Sequence, residues 1–177
     1  QTVRTETTTR TLYQFSELSD KAKQRAIEKL YDINTDFDWW EFTYETIQKA
    51  GECLGIDCTI DGFDLDRGAY VSLCGEYSYR KGWRAALAHE FGGDTLAALV
   101  KIGEDLQSAQ KCMFWSGYAS LESGRYGTRY SADAAHGGQC AVDDLIDGLR
   151  EFEHWALTLL RDEYEYLTSA EAIKETI

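Results

Sequence analysis

The histidines of this chain are too scattered to form a recognisable catalytic site. His89, His136 and His154 lie far apart in the sequence, and none belongs to an HExxH motif, a Ser-His-Asp arrangement or a Cys-His pair. His136 is the best single candidate for acid–base or metal chemistry, because it lies in a glycine-containing loop predicted over Ala134–Gln139, and loops often carry function. The pattern as a whole predicts ordinary histidines, no catalytic residue and no enzymatic activity.

Three aspartates offer a second kind of chemistry. Asp61, Asp64 and Asp66 lie around a predicted hairpin turn, where oxygen ligands could bind a hard cation. The segment lacks the central glycine and the distal glutamate of an EF-hand loop, so a solvated strand that ends in a turn-forming aspartate is favoured. No metal or other cofactor is therefore predicted, and a metal-dependent hydrolase stays open as an alternative.

The cysteines predict neither a disulfide framework nor a metal site. There are five, an odd number, at positions 53, 58, 74, 112 and 140, and no two form a CxxC pair. Metal sites usually show tighter ligand spacing. We expect reduced, mostly buried thiols in a cytosolic protein.

The charge distribution is the strongest indication in the sequence of what kind of partner the protein binds. The formal net charge is −13, and the acidic excess is confined to two segments. Residues 32–66 hold ten carboxylates and one base, and residues 143–177 hold ten carboxylates and three bases. Such clusters create a field that repels nucleic acid and attracts basic surfaces. The charge predicts a basic protein partner without direct binding of nucleic acid. No membrane contact is predicted, because no apolar run approaches the roughly 18 residues of a membrane span.

Two groups of acidic residues are the candidates for partner binding. One consists of Asp36, Asp38, Glu41 and Glu45. The other consists of Asp143, Asp144, Asp147 and Glu151, whose spacing places several carboxylates along one side of a predicted helix. Trp39 is added as an aromatic anchor for the partner, because it falls outside the stripe of Trp40, Tyr44 and Ile47 that is predicted to enter the core. Phe42 also falls outside this stripe and could extend the exposed aromatic surface.

Periodicity predicts the elements that position these residues. In the first half we expect a strand over Gln1–Tyr13, followed by a helix that is capped by Ser19 and runs to Ile33. A second helix, capped by Asp36 or Asp38, is expected to end around Gly51–Gly55. A hairpin of Ile56–Ile60 with Ala69–Tyr79 follows it. In the second half we expect helices over Gly82–Phe91 and Asp94–Phe114, Tyr118–Leu121 and Tyr126–Tyr130 as a hairpin or a long loop, a helix over Val142–Tyr164, and a last helix capped by Ser169.

This order of elements favours an α+β fold. Its connections are short and contain no single-helix crossovers, which is typical of an antiparallel sheet of hairpins with helices packed against it. A length of 177 residues fits one domain spanning 1–177. The sequence leaves open whether the protein is a monomer or a homodimer.

Four segments carry a resemblance to a known group of proteins. They are Phe15–Lys23, Asp36–Trp40 with Tyr44 and Glu45, Gly62–Gly68, and Glu163–Ser169 with Glu171–Ile173. Together they resemble a family of small acidic accessory proteins encoded by tailed phages and prophages, and the likeness spans most of the chain. The resemblance implies a protein that acts in the cytoplasm of a bacterial host, but it assigns no activity to particular residues.

By analogy with other small acidic phage proteins, the resemblance also implies a counter-defence role of the anti-CRISPR or anti-restriction type. The partner would then be a basic, nucleic-acid-binding surface of a host defence complex, which the acidic residues block. An antitoxin-like or regulatory protein that binds one specific protein through aromatic contacts is the second class that stays open.

Overall fold

The structure is a computed structural model that describes residues 8–177, and it confirms the α+β class. The helices are α1 (Asp20–Lys29), α2 (Glu41–Leu54), α3 (Trp83–Glu90), α4 (Gly93–Cys112), α5 (Gln139–Leu167) and α6 (Ala170–Thr176). The strands are β1 (Ile56–Asp64), β2 (Tyr70–Ser78), β3 (Gly117–Gly124) and β4 (Gly127–Ala134). No helix among the described residues combines the length and the apolar character needed to cross a membrane.

The chain groups into two compact units. One combines the described part of Gln1–Trp39 with Glu165–Ile177, and the other is Trp40–Tyr164. The single domain expected over 1–177 stays a prediction.

The larger unit contains one antiparallel sheet with the order β1-β2-β3-β4. Both predicted hairpins are present, and the second is closed by the two-residue turn Arg125–Tyr126 between paired Gly124 and Gly127. Burial alternates along β1, where Ile56 and Cys58 are buried and Asp57 is exposed. One face of the sheet therefore meets the core, and the other carries polar side chains.

The helices of this unit bury one apolar stripe each. On α5 the buried residues follow helical spacing and are Leu145, Leu149, Phe152, Ala156 and Leu160. Helical spacing of the apolar residues in the sequence predicts this stripe together with Leu159, which is only half-buried. On α4 the corresponding side chains are Leu99, Ile102, Leu106 and Ala109. These stripes leave the polar faces of both helices to solvent.

In the smaller unit, α1 is shorter than predicted. The helix ends at Lys29, and the following turns use Asn34 for contacts distant in sequence. The buried Asn34 donates from Nδ2 to the carbonyl of Leu167 at 3.0 Å and accepts at Oδ1 from the Thr176 hydroxyl at 2.7 Å. These bonds fix the chain that follows α1 against the C-terminal residues. The predicted cap Ser169 is confirmed, since its hydroxyl accepts from the Ala172 amide at 3.2 Å.

Four other expectations about elements and their ends are wrong. Of the strand predicted over Gln1–Tyr13, residues 1–7 lie outside the described part and residues 8–13 form no regular structure. Helix α2 begins at Glu41 after Trp40, so neither Asp36 nor Asp38 caps it. Helix α4 is preceded by Gly92, and Asp94 already lies within its first turn. Helix α5 also extends beyond the predicted Val142–Tyr164 at both ends.

Candidate functional site

The second acidic group lies where the sequence placed it. Asp143, Asp144, Asp147 and Glu151 are all exposed on α5. Asp147 pairs with Arg150 at 2.8 Å, but both side chains are more than 60% exposed, so the pair adds little stability and leaves Asp147 accessible. Asp143 accepts from the Gln139 side chain at 2.9 Å. The helix therefore holds four carboxylates in solvent along one side.

Close packing of α4 against α5 makes three of these carboxylates, Asp144, Asp147 and Glu151, part of the wall of a groove. A Cβ added at Gly148 would lie 2.8 Å from the Leu106 side chain, so glycine permits a close approach of the two helices. The resulting groove, of about 340 Å³, is lined by Lys101, Asp105, Ser108 and Ala109 of α4 and by Asp144, Asp147, Gly148 and Glu151 of α5. We call it the acidic groove.

Asp105 is a member of the groove that sequence reasoning missed. It shares a stripe of α4 with Lys101 and Ser108, at i, i+4 and i+7, and this polar stripe was a signal that could have revealed it. Lys101 is the one base in the groove lining. Carboxylates from two helices therefore face the same space. A groove with carboxylates on both walls matches a convex basic partner better than the side of a single helix does.

The first acidic group is not assembled on one helix. Glu41 and Glu45 are exposed one turn apart on α2, whereas Asp36 and Asp38 belong to irregular chain that is counted with the other unit. Only Glu41 and Glu45 therefore share a helix, because α2 begins later than the predicted capping residues. A contact face that includes all four residues stays a prediction.

Trp39 does not fit the role of an exposed anchor. Its side chain is buried, with 8% of its surface accessible, whereas Phe42 is 80% exposed. Trp40 and Tyr44 both contact Phe63 edge-on, at centroid distances of 5.7 Å and 6.1 Å. Because α2 begins at Glu41, Trp39 precedes the helix and a helical-wheel position does not apply to it, whereas Phe42 lies on the helix and its side chain is left in solvent.

A second exposed surface lies between α4 and β3 and was missed entirely. Phe114 and Trp115 have positive φ angles of 50° and 63°, a conformation that bulky side chains rarely adopt. They are 74% and 46% exposed. Trp115 contacts Tyr79 at 4.4 Å between ring centroids, and Phe114 meets His136 at 6.0 Å. We call Phe114–Trp115 the aromatic turn.

A buried amide beneath the aromatic turn fixes its backbone. Gln110 is fully buried; its Nε2 donates to the Gly117 carbonyl at 2.7 Å, and its Oε1 accepts from the Gly117 amide at 3.0 Å. Its own carbonyl accepts from the Trp115 amide at 2.8 Å. Nε2 also contacts the Tyr77 hydroxyl at 3.5 Å, and burial raises the pKa of Tyr77 to about 12. The bonds of Gln110 to Trp115 and to Gly117 fix the backbone within the aromatic turn and just after it.

Ser116 ties the aromatic turn to the loop that contains His136. Its hydroxyl donates to the Met113 carbonyl at 2.6 Å and accepts from the His136 amide at 3.2 Å. The sequence carries no periodic signal for such an arrangement, because it depends on contacts between separate elements.

The aspartates of the first hairpin do not form a metal centre. Asp64 accepts from the Asp66 amide at 2.7 Å, which closes a local turn. Within residues 8–177, no group of three or more His, Cys, Asp or Glu side chains is arranged to hold a metal ion. His89, His136 and His154 are all exposed, on three different elements.

All five cysteines are free thiols, as expected, but the expectation that most are buried is wrong. Only Cys53 and Cys58 are buried, and Cys74, Cys112 and Cys140 are exposed. Burial raises the pKa of Cys58 to about 12 and also raises that of Cys53. The two buried thiols are therefore inert core residues.

Comparison of the chain with protein-family models, curated proteins and solved structures found no match.

Proposed function

We propose that this protein is a phage-encoded inhibitor without catalytic activity, which binds a basic, nucleic-acid-binding surface of a bacterial host defence complex through the acidic groove. The observation that carries the proposal is the placement of Asp105, Asp144, Asp147 and Glu151 around one groove between two packed helices. The resemblance of four sequence segments to small acidic phage proteins supplies the biological setting, in the bacterial cytoplasm.

Helix geometry supports mimicry of a phosphate backbone. Carboxylates three or four residues apart on a helix lie about 5–6 Å from each other at Cβ. Successive phosphates in a nucleic-acid strand are roughly 6–7 Å apart, as inferred from their charge spacing along the axis. A basic surface that accepts phosphates could therefore accept Asp144, Asp147 and Glu151 in succession.

The net charge of −13 supports the same partner class. A strongly negative protein is drawn to basic surfaces over a distance set by ionic strength, and this attraction acts mainly on the rate of encounter. Neutralising the groove should therefore slow association more than it speeds dissociation.

The deciding experiment removes charge without changing shape. A partner is first isolated from host lysate and shown to be displaced from its own nucleic acid by the purified protein. Asp143, Asp144, Asp147 and Glu151 are then changed together to their amides, and binding is measured at low and high salt. Binding of the wild type should fall steeply with salt, and the variant should bind at least about tenfold more weakly at low salt.

A matched control uses the other acidic group. Changing Asp36, Asp38, Glu41 and Glu45 to amides removes an equal number of charges, four, from residues that do not all lie on one helix. An equal loss of binding in both variants would mean that net charge alone matters and that the groove has no special role. Unchanged binding in the groove variant at low salt would contradict the proposal.

The aromatic turn supports a second candidate, an antitoxin-like or regulatory protein that docks on one specific partner. Two exposed aromatic rings in a strained conformation, fixed by a buried amide, are typical of a functional surface. Binding through this turn should depend weakly on salt, and it should be lost in Phe114→Ala while the groove variant retains it. The two candidates therefore predict opposite outcomes for the same pair of variants.

A further inference from the structure

The outer edge of β4 is open to another strand. β4 is the last strand of the sheet, and within residues 8–177 no strand pairs with its outer side. The β3–β4 hairpin closes on the pair Gly124 and Gly127, which exchange backbone hydrogen bonds across a two-residue turn. Pairing then alternates along β4, so the N–H and C=O groups of the even-numbered residues 128–134 point to the outer edge.

Two of these outward amides already have local partners. The Thr128 amide donates to Glu153 Oε1 at 3.1 Å, and the Ala134 amide donates to the Asp133 carboxylate at 2.7 Å. Both bonds agree with the alternation. Between them, the backbone groups of Tyr130 and Ala132 make no hydrogen bond to another element in the described part of the chain. The backbone groups available for pairing with a new strand are therefore those of Tyr130 and Ala132, between the occupied amides of Thr128 and Ala134.

The opposite edge of the sheet is protected in ways that β4 is not. β1 has a register shift between Ile60 and Gly62, and α2 packs beside it. It also carries Asp57, Asp61 and Asp64. Bulges, charges and covering elements are the usual devices that prevent edge pairing. β4 pairs with β3 without a bulge over all eight residues. Glu153 of α5 contacts it at the Thr128 amide and at the Tyr130 hydroxyl, near the start of the strand. The more regular edge, β4, is therefore the better suited to pair with another strand.

We propose that β4 of one copy pairs antiparallel with β4 of a second copy, about a twofold axis at Ser131, to give a homodimer with a continuous eight-stranded sheet. In this register Tyr130 of one copy lies opposite Ala132 of the other, and each such pair exchanges backbone hydrogen bonds. The large ring and the small side chain then share the inner face without a clash. Symmetry makes each contact occur twice.

Charge complementarity selects this register over its neighbours. Arg129 and Asp133 are both exposed on the outer face of the sheet, where Arg129 also pairs with Glu122 of β3 at 3.5 Å. The register places Arg129 of one copy opposite Asp133 of the other, twice. These are non-hydrogen-bonded pairs, in which opposing side chains approach most closely. A shift of the axis by one residue toward Tyr130 or toward Ala132 puts Arg129 opposite Ser131, or Asp133 opposite Ser131, and loses both ion pairs.

The first test is the oligomeric state of the whole chain by sedimentation equilibrium between about 5 µM and 500 µM, a range that detects micromolar association. We expect a monomer–dimer equilibrium. Ala132→Pro removes an amide that does not bond β3, so the hairpin should survive and dimerisation should be lost. A monomer over the whole range, or a dimer unaffected by Ala132→Pro, would overturn the proposal.

Charge reversal tests the same contact without a proline. Arg129→Glu should weaken dimerisation at least about tenfold, because it places two carboxylates opposite each other twice. The double variant Arg129→Glu with Asp133→Arg restores opposite charges and should recover the dimer. Asp61→Lys on the other edge is the control and should leave the equilibrium unchanged. Failure of the double variant to recover association would contradict the register.

Cysteine pairing reports the twofold axis directly. The background has Ser at positions 74, 112 and 140, which removes the exposed thiols. Ser131→Cys should then form a disulfide-linked dimer on mild oxidation, since opposing Cα atoms of such a pair are about 4.5 Å apart and a disulfide accepts that distance. Arg129→Cys alone should form no disulfide-linked dimer, but it should cross-link to Asp133→Cys when the two variants are mixed. Cross-linking at another position instead would rule out the axis at Ser131.

Discussion

The acidic groove and the aromatic turn are held in place by different physical means. The groove carboxylates project from two regular helices, and each is positioned by the helical repeat and by close packing at Gly148. The aromatic turn has no regular structure, and its backbone depends on hydrogen bonds from Gln110 and Ser116. The first surface should therefore tolerate loss of single polar side chains, whereas the second should depend on one.

The largest expected effect follows from that dependence. Gln110→Leu removes both partners of the Gly117 backbone in a buried site, so the free energy of unfolding should fall by about 2–4 kcal/mol. Urea unfolding measures it. The matched control is Gln139→Leu on the groove side, which loses one exposed bond to Asp143 and should change stability by less than about 0.5 kcal/mol. Equal effects would show that the two surfaces are built alike.

The next effect tests whether helix packing shapes the groove. Gly148→Val pushes a branched side chain toward Leu106, where even a Cβ lies at 2.8 Å. We expect a loss of about 1–2 kcal/mol, because overpacking outweighs the gain in helix propensity. Gly138→Ala, which meets open space, is the control. Partner binding should weaken in Gly148→Val although no charge changes, and undiminished binding would separate the groove shape from function.

The same difference explains which features were predictable. The core stripe of α5, the first hairpin and the exposed carboxylates from Asp143 to Glu151 depend on short-range periodicity, and all were found from the sequence. The second hairpin was one of the two alternatives that the sequence left open. Asp36, Asp38 and Trp39 were misplaced because the capping residue of α2 was set two to four positions too early, at Asp38 or Asp36 instead of Trp40. A helix start is fixed by tertiary contacts as well as by capping residues, and a local pattern contains only the latter.

Features that join distant residues left no local pattern to find. The Gln110–Gly117 bonds, the positive φ angles of Phe114 and Trp115, and the contact of Asn34 with Leu167 each require elements to be already packed. Asp105 was hidden for a related reason, since its role arises only when α4 meets α5. The sequence therefore predicts surfaces on single helices better than surfaces shared between elements.

A smaller effect of opposite sign is expected in the aromatic turn itself. Phe114 has a φ of 50° and is 74% exposed, so Phe114→Gly relieves strain and loses little packing. The free energy of unfolding should rise by about 0.5–1 kcal/mol. Trp115→Gly relieves similar strain but removes the contact with Tyr79, and it should not stabilise. If Phe114→Gly destabilises the protein, the side chain packs more than its exposure indicates, and the argument for an exposed docking residue weakens.

The smallest expected effect is a pH dependence of the support beneath the aromatic turn. Burial raises the pKa of Tyr77 from 10.0 to about 12, so the folded state favours the neutral phenol more than the unfolded state does. The stability that this provides is fully present below pH 10 and is lost as the pH rises through 12. At pH 10 the loss should still be less than about 1 kcal/mol.

Urea unfolding of the wild type and of Tyr77→Phe at pH 8, 10 and 11 isolates this contribution from those of other tyrosines, because only the difference between the two proteins is used. The wild type should lose stability relative to Tyr77→Phe as the pH increases. Parallel curves would mean that Tyr77 ionises as easily in the folded protein as in the unfolded chain, and that the contact with Gln110 is more open to water than its burial implies.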